Sequence, residues 1–176
     1  MKLSSRGSWR SSLSSLSSLV VLLVCLQAQA QGLAKPLGPV ILTVSGQISQ
    51  RNSPQGAQFD AAMLQAMPTL SFATPSQWHS KSVTYSGVAL KTLLDAVGAR
   101  GNTLHLHALD RFEARVPISD AARYGPIIAL HADGQALKVR TLGPALLMYP
   151  FAQYPELNTD VYYSRCVWQL QRIVVE

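Results

Sequence analysis

His105 and His107 stand two residues apart in Thr103-Leu-His-Leu-His-Ala108. Two imidazoles at that spacing share one face of a strand, and neutral imidazole is the commonest protein metal ligand. A metal ion would need a third ligand and a shielded pocket. Leu104, Leu106 and Ala108 form the alternate, core-facing set, so the pattern puts both histidines on the solvent face and no metal site is expected. Cys166 follows Arg165, and a neighbouring cation favours a thiolate. Its alternation with Trp168 and Leu170 instead suggests a buried, inert thiol; pairing with another chain is the other use open to it. Phe151 to Arg165 is an aromatic segment holding Tyr154, Tyr162, Tyr163 and Arg165. Tyrosine and arginine are the residue types that carry recognition, although tyrosines also seal sheet edges. Trp78 and His79 lie in a second polar stretch, Pro75 to Ser82. No Ser-His-Asp order, phosphate-binding glycine loop or paired-carboxylate spacing stands out, so no catalytic residue is assigned.

The elements that must position these residues are short. Val40 to Val44 is rich in β-branched residues and reads as a strand closed by Gly46. Gln50 to Gln58 reads as a loop. Asp60 is placed to cap a short helix, with Phe59 and Leu64 forming a hydrophobic staple and Pro68 ending it. Thr69 to Thr74 is predicted as a strand, Pro75 to Ser82 as a loop, and Val83 to Tyr85 as a short strand. Gly87 then opens a predicted helix over 88–97, with Leu90, Leu93, Leu94 and Val97 on one face and Gly98 at its end. Thr103 to Ala108 and Glu113 to Val116 form a predicted hairpin around Asp110-Arg-Phe112. Ser119 is expected to cap a brief helix ended by Gly125. Asp133-Gly134 is the strongest hairpin signal, between Ile127–Leu130 and Ala136–Val139. Strands are also predicted at Ala145–Tyr149 and Val167–Val175, with Phe151 to Tyr163 a long loop between them. Many short strands with two or three helices predict an α+β domain around a mixed, curled sheet.

The first thirty residues read differently. A basic start (Lys2, Arg6, Arg10), the apolar run Leu19 to Leu26 and the small-x-small triplet Ala28-Gln-Ala30 make a secretory signal peptide. Its removal leaves residues 31–176, a length that suits one domain. The leader also carries three of the six net positive charges, leaving +3. The high isoelectric point is thus partly a targeting feature, and no nucleic-acid partner is expected. The mature chain keeps one cysteine, Cys166, and must be stabilised by its core rather than by an internal disulfide. A periplasmic location and no membrane span after cleavage are expected.

In order, these pieces resemble the molybdopterin-binding domain of the sulfite oxidase family. The resemblance rests on Leu42-Thr-Val-Ser-Gly46, on Tyr85-Ser-Gly-Val-Ala-Leu-Lys-Thr-Leu-Leu94, and on Leu104 to Phe112 leading to Val116-Pro-Ile-Ser-Asp120. It continues through Ala132-Asp-Gly-Gln-Ala-Leu137, Gly143-Pro-Ala-Leu-Leu-Met-Tyr-Pro150 and Val167 to Val175. It implies that family's fold over nearly all of the mature chain. In catalytic members a cysteine ahead of the Ser-Gly-Val helix binds molybdenum. The corresponding stretch here, Leu70-Ser-Phe-Ala-Thr-Pro-Ser76, has none, and serine or threonine is a poor substitute for a thiolate.

Two functions remain open at this point. One is an exported module without a catalytic metal, which presents its cleft to a small-molecule ligand or a membrane-anchored partner through Trp78, His79, Tyr154, Tyr162, Tyr163 and Arg165. The other is a molybdopterin-dependent oxidoreductase, or a subunit of one. The missing cysteine favours the first, in which no cofactor is expected; the resemblance makes molybdopterin the cofactor of the second.

Overall fold

The computed structural model describes residues 32–76 and 78–176, leaving aside the side chains of Ser76, His79 and Ser80. The expected signal peptide lies outside these residues. Residues 32–176 form one compact unit. In it β1 (Val40–Gly46), β2 (Ala57–Asp60), α1 (Ala61–Gln65), β3 (Thr69–Ser76), β4 (His79–Ala89) and α2 (Leu90–Ala96) are followed by β5 (Thr103–Ala108), β6 (Glu113–Pro117) and α3 (Asp120–Arg123). The chain then runs through β7 (Ile127–Ala132), β8 (Gln135–Ala136), β9 (Leu146–Met148), a 3-10 turn (Pro155–Leu157), α4 (Asp160–Tyr163) and β10 (Leu170–Val175). Among the described residues no helix is long and apolar enough to cross a membrane.

The class is α+β, as the patterning requires, and the strands divide between two sheets. The first has the order β2-β1-β10-β5-β6; the second runs β3-β4-β7-β8, with β9 also paired to β7. The first sheet is mixed, because β1 and β10 pair parallel while β10 and β5 pair antiparallel. One hydrophobic cluster joins the two sheets and the helix. It takes Leu42 and Val44 from β1, Leu104 and Leu106 from β5, and Leu170 and Ile173 from β10. Tyr85 and Val88 of β4, Ile127 to Leu130 of β7, and Leu90, Leu93 and Leu94 of α2 complete it.

Several local expectations hold. Asp133 and Gly134 both have positive φ, 48° and 75°, as a type I′ turn demands. The side chain of Asp60 caps α1 by accepting from the Met63 amide at 2.8 Å. Phe59 and Leu64 are both buried, as a staple requires. Asp60 also accepts from the Leu37 and Gly38 amides at 2.9 and 2.8 Å, which ties the start of the domain to β2. These backbone donors, Gly38 first and then Met63, hold its carboxyl below the ordinary value of 3.8. A carboxylate with a depressed folded pKa stabilises the fold above its unfolded pKa and loses that contribution as pH falls through the folded one. An Asp60→Asn protein should therefore show a flatter loss of stability on acidification than the wild type. The difference should open below about pH 4 in urea melts. Parallel acid limbs would show that Asp60 does not couple to folding.

Other expectations are corrected. The region from Pro75 to Ser82 is no long loop: β3 reaches Ser76 and β4 begins at His79, so the two strands close as a hairpin around Trp78. Pro75 is tolerated because β3 is an edge strand, with no strand on its outer side among the described residues. Gly87 does not open the helix. It lies in β4, which runs to Ala89, and pairs near β7 at a register shift between Ser86 and Gly87. A Cβ there would collide with the Ile128 carbonyl oxygen. Glycine is thus required by close backbone approach rather than by helix initiation. Residues 57 and 58, assigned to a loop, belong to β2. Ser119 precedes α3 without a side-chain capping bond. The final strand starts at Leu170 rather than Val167, because Gln169 turns the chain with φ 49°. The stretch after Phe151 is ordered by the 3-10 turn and α4.

Candidate functional site

Three connections converge on one aromatic region. The β3–β4 turn brings Trp78. The β5–β6 turn brings Asp110 and Phe112. The segment after β9 brings Tyr163 and Ser164 from α4 and its end, and Cys166 and Trp168 from the approach to β10. With Asp160, these residues line an open cleft of about 360 Å³. The β5–β6 turn holds its shape through Asp110, whose carboxylate accepts from the Phe112 amide at 2.9 Å, and through Arg111 at φ 72°.

Trp78 organises the wall. Its ring meets Tyr163 edge-on at 5.5 Å and Trp168 edge-on at 5.1 Å. Tyr163 in turn stacks on Phe151 at 4.6 Å with planes 25° apart, and its hydroxyl donates to Asn158 Oδ1 at 2.9 Å. Such edge-to-face and stacked pairs fix ring orientation beyond what area burial achieves. Indole and phenol faces are therefore presented in set positions.

Cys166 forms part of the floor but is not a nucleophile in waiting. It is buried, and its Sγ lies 3.6 Å from the Tyr162 carbonyl, to which it donates. Burial pushes the thiol up to about 12, with the Tyr149 backbone pulling weakly the other way. The expected inert, core-like thiol is what its surroundings make of it. Tyr85 is also fully buried, and its hydroxyl has no partner among the described residues. Burial raises its pKa to about 12, and the Cys166 and Asp133 charges add to the rise.

Tyr162, Tyr154 and Arg165 stand beside the cleft in a second cluster. Arg165 Nη1 donates to Asp120 Oδ2 at 2.8 Å, and the Tyr149 hydroxyl donates to the same oxygen at 2.7 Å. Asp120 and Arg165 are largely withdrawn from water, with side-chain exposures of 7% and 19%. Burial and the Asp120 bond push the Tyr149 phenol far above its ordinary value. The Arg165 guanidinium also lies over the Tyr162 ring at 4.7 Å. The Tyr162 hydroxyl reaches that of Tyr124 at 3.2 Å, and Tyr124 meets Tyr154 edge-on at 5.4 Å. This network joins α3, β9 and α4.

The residues singled out from sequence thus separate. Trp78 and Tyr163 line the cleft; Tyr154, Tyr162 and Arg165 build the neighbouring network; the side chain of His79 lies outside the described residues. Sequence reasoning passed over Asp110, Phe112 and Trp168 as cleft residues and Asp120 as the partner of Arg165. For Asp110 and Phe112 a signal existed, since turn residues at one end of a hairpin share that end with other connections. For Asp120 none did, because 45 residues separate it from Arg165.

Comparison with known proteins agrees with this architecture. No curated protein matches the sequence. The crystal structure of the sulfane dehydrogenase SoxCD from Paracoccus pantotrophus is similar, with a TM-score of 0.58 and 18% identity. That likeness covers 76% of this chain and 37% of the other, so the chain spans little more than a third of that protein's length. At this identity the likeness is one of fold. The profile described as "Oxidoreductase molybdopterin binding domain" matches residues 56–153, more than half of the chain, and the protein belongs to that family.

Proposed function

We propose that the protein is an exported, non-catalytic binding module of the molybdopterin-binding fold, and that its cleft around Trp78 holds a small organic cation. The lining of the cleft carries this reading. It sets four aromatic rings, Trp78, Phe112, Tyr163 and Trp168, beside the carboxylates of Asp110 and Asp160, with no lysine or arginine among the described lining residues. Aromatic faces attract cations through the ring quadrupole, and two carboxylates reinforce that preference.

Molybdopterin does not fit these residues. The cofactor is anionic at its phosphate and dithiolene, and the cleft is acidic. The sole thiol of residues 32–176 is Cys166, which burial keeps protonated at neutral pH. In Leu70 to Ser76, the stretch that the resemblance places at the family's metal ligand, Thr74 is the buried side chain among the described residues. Its hydroxyl is already engaged, donating to the Pro75 carbonyl at 3.2 Å and accepting from the Ala152 amide at 3.3 Å. Arg165, beside the cleft, is committed to Asp120.

Metal analysis of protein made in a host that synthesises the molybdenum cofactor tests the proposal. The expected outcome is no stoichiometric molybdenum and no sulfite oxidation. Equimolar molybdenum with a dithiolene absorption band would overturn it and establish the oxidoreductase reading.

A further inference from the structure

The histidine pair on β5 faces outward, as its alternation with Leu104, Leu106 and Ala108 predicts. The structure adds what the spacing alone lacked, a third ligand from the neighbouring strand. In the β5–β6 register His107 stands opposite Glu113 and His105 opposite Arg115. The Glu113 carboxylate bridges the two rings: Oε2 is 3.1 Å from His105 Nε2 and Oε1 is 3.1 Å from His107 Nδ1. The imidazole centroids are 4.4 Å apart. One ligand atom from each residue lies within 4.8 Å of the others.

We propose that His105, His107 and Glu113 form a binding site for a borderline divalent transition-metal ion, zinc or copper(II), on the outer face of the first sheet. Two imidazoles and a carboxylate are a donor set that such ions take with further positions left open. Bonds of about 2.0–2.2 Å place tetrahedral ligands some 3.3–3.6 Å apart, so the three groups need only small side-chain shifts to close on an ion. The outer partner of His105 suits the role as well. Its Nδ1 faces Glu176 Oε1 at 3.8 Å, the carboxylate–histidine arrangement that orients a metal-bound ring. Two cations flank the cluster, Arg115 on β6 and Arg172 opposite His107 on β10. Arg115 is drawn to the other Glu176 oxygen at 3.9 Å, and Glu113 and Glu176 balance the two arginines before an ion arrives. The histidines are partly sheltered, at 20% and 25% side-chain exposure, while Glu113 is 53% exposed. The ion would therefore keep solvent-facing positions. The site lies on the sheet face opposite the core and shares no residue with the aromatic cleft.

Titration calorimetry of the untagged protein with zinc tests this. Equimolar binding is expected, weakened roughly 100-fold or more by His105→Ala or His107→Ala, beyond the 10- to 100-fold that outer-shell changes cost. His131→Ala, on the other sheet, should leave it unchanged. Copper(II) added to wild-type protein should give an electron paramagnetic resonance spectrum with nitrogen couplings from two imidazoles. Zinc binding that survives the double substitution of His105 and His107, or a copper spectrum without nitrogen coupling, would overturn the proposal. The wild-type spectrum decides even if a variant fails to fold.

Discussion

Asp120→Ala protein will be less stable than wild type by about 3–5 kcal/mol, the range for removing one partner of a buried ion pair. The size follows from what is left behind. Asp120 Oδ2 accepts from both Arg165 and the Tyr149 hydroxyl. Removing the carboxylate leaves a guanidinium that is mostly withdrawn from water without its counter-ion, and a fully buried phenol without its acceptor. Each uncompensated group adds its own desolvation cost. Asp120→Asn should cost less, because an amide oxygen still accepts from Tyr149 while the charge on Arg165 goes unanswered. Urea denaturation measures both. A loss below about 1 kcal/mol for the alanine variant would mean that the pair is solvated and contributes as a surface bridge does. On the proposed reading Arg165, held by Asp120, supports the wall of the cleft, and substituting it should reduce binding through the position of α4.

How the sequence conveyed all this depends on the range of each interaction. Periodicity and turn chemistry are local, so β5, the Asp133-Gly134 hairpin and the Asp60 cap were legible. The same reasoning failed where an outside strand decides the outcome. Gly87 is glycine because β7 passes against it, and nothing within the Tyr85 to Gly98 stretch says so. Pro75 and the polar residues around it look like a loop, yet an edge position lets β3 extend through them. The site shows the same division. Trp78 and Tyr163 were recognisable by residue type, whereas their shared cleft with Asp110 and Phe112 depends on how separate turns meet at one end of the sheets. His105 and His107 were visible as a pair. Glu113 becomes their neighbour only through cross-strand register, which a single strand does not encode.

Choline should bind the cleft at least about tenfold more tightly than 3,3-dimethylbutanol, its neutral carbon isostere, if the aromatic wall recognises charge. The two probes match in shape and apolar surface, so burial contributes equally and cancels. What remains is attraction of the quaternary ammonium to the ring faces and to Asp110 and Asp160. A desolvated cation over an indole gains about 2 kcal/mol, which corresponds to some 30-fold in affinity. Trp78→Leu keeps apolar volume beside Tyr163 and Trp168 but removes the indole face. It should erase most of the preference for choline while leaving the weak affinity for the alcohol nearly intact. Asp110 and Asp160 are both exposed, so their carboxylates act through screened water. Asparagine at both positions should lower choline affinity only a few-fold, and high salt should mask the change. Tryptophan fluorescence reports binding directly, since Trp78 and Trp168 both line the cleft. Equal affinity for the two probes would reduce the cleft to an apolar groove and sink the cation reading. A preference that persists in Trp78→Leu would move the cation away from the indole and onto the carboxylates.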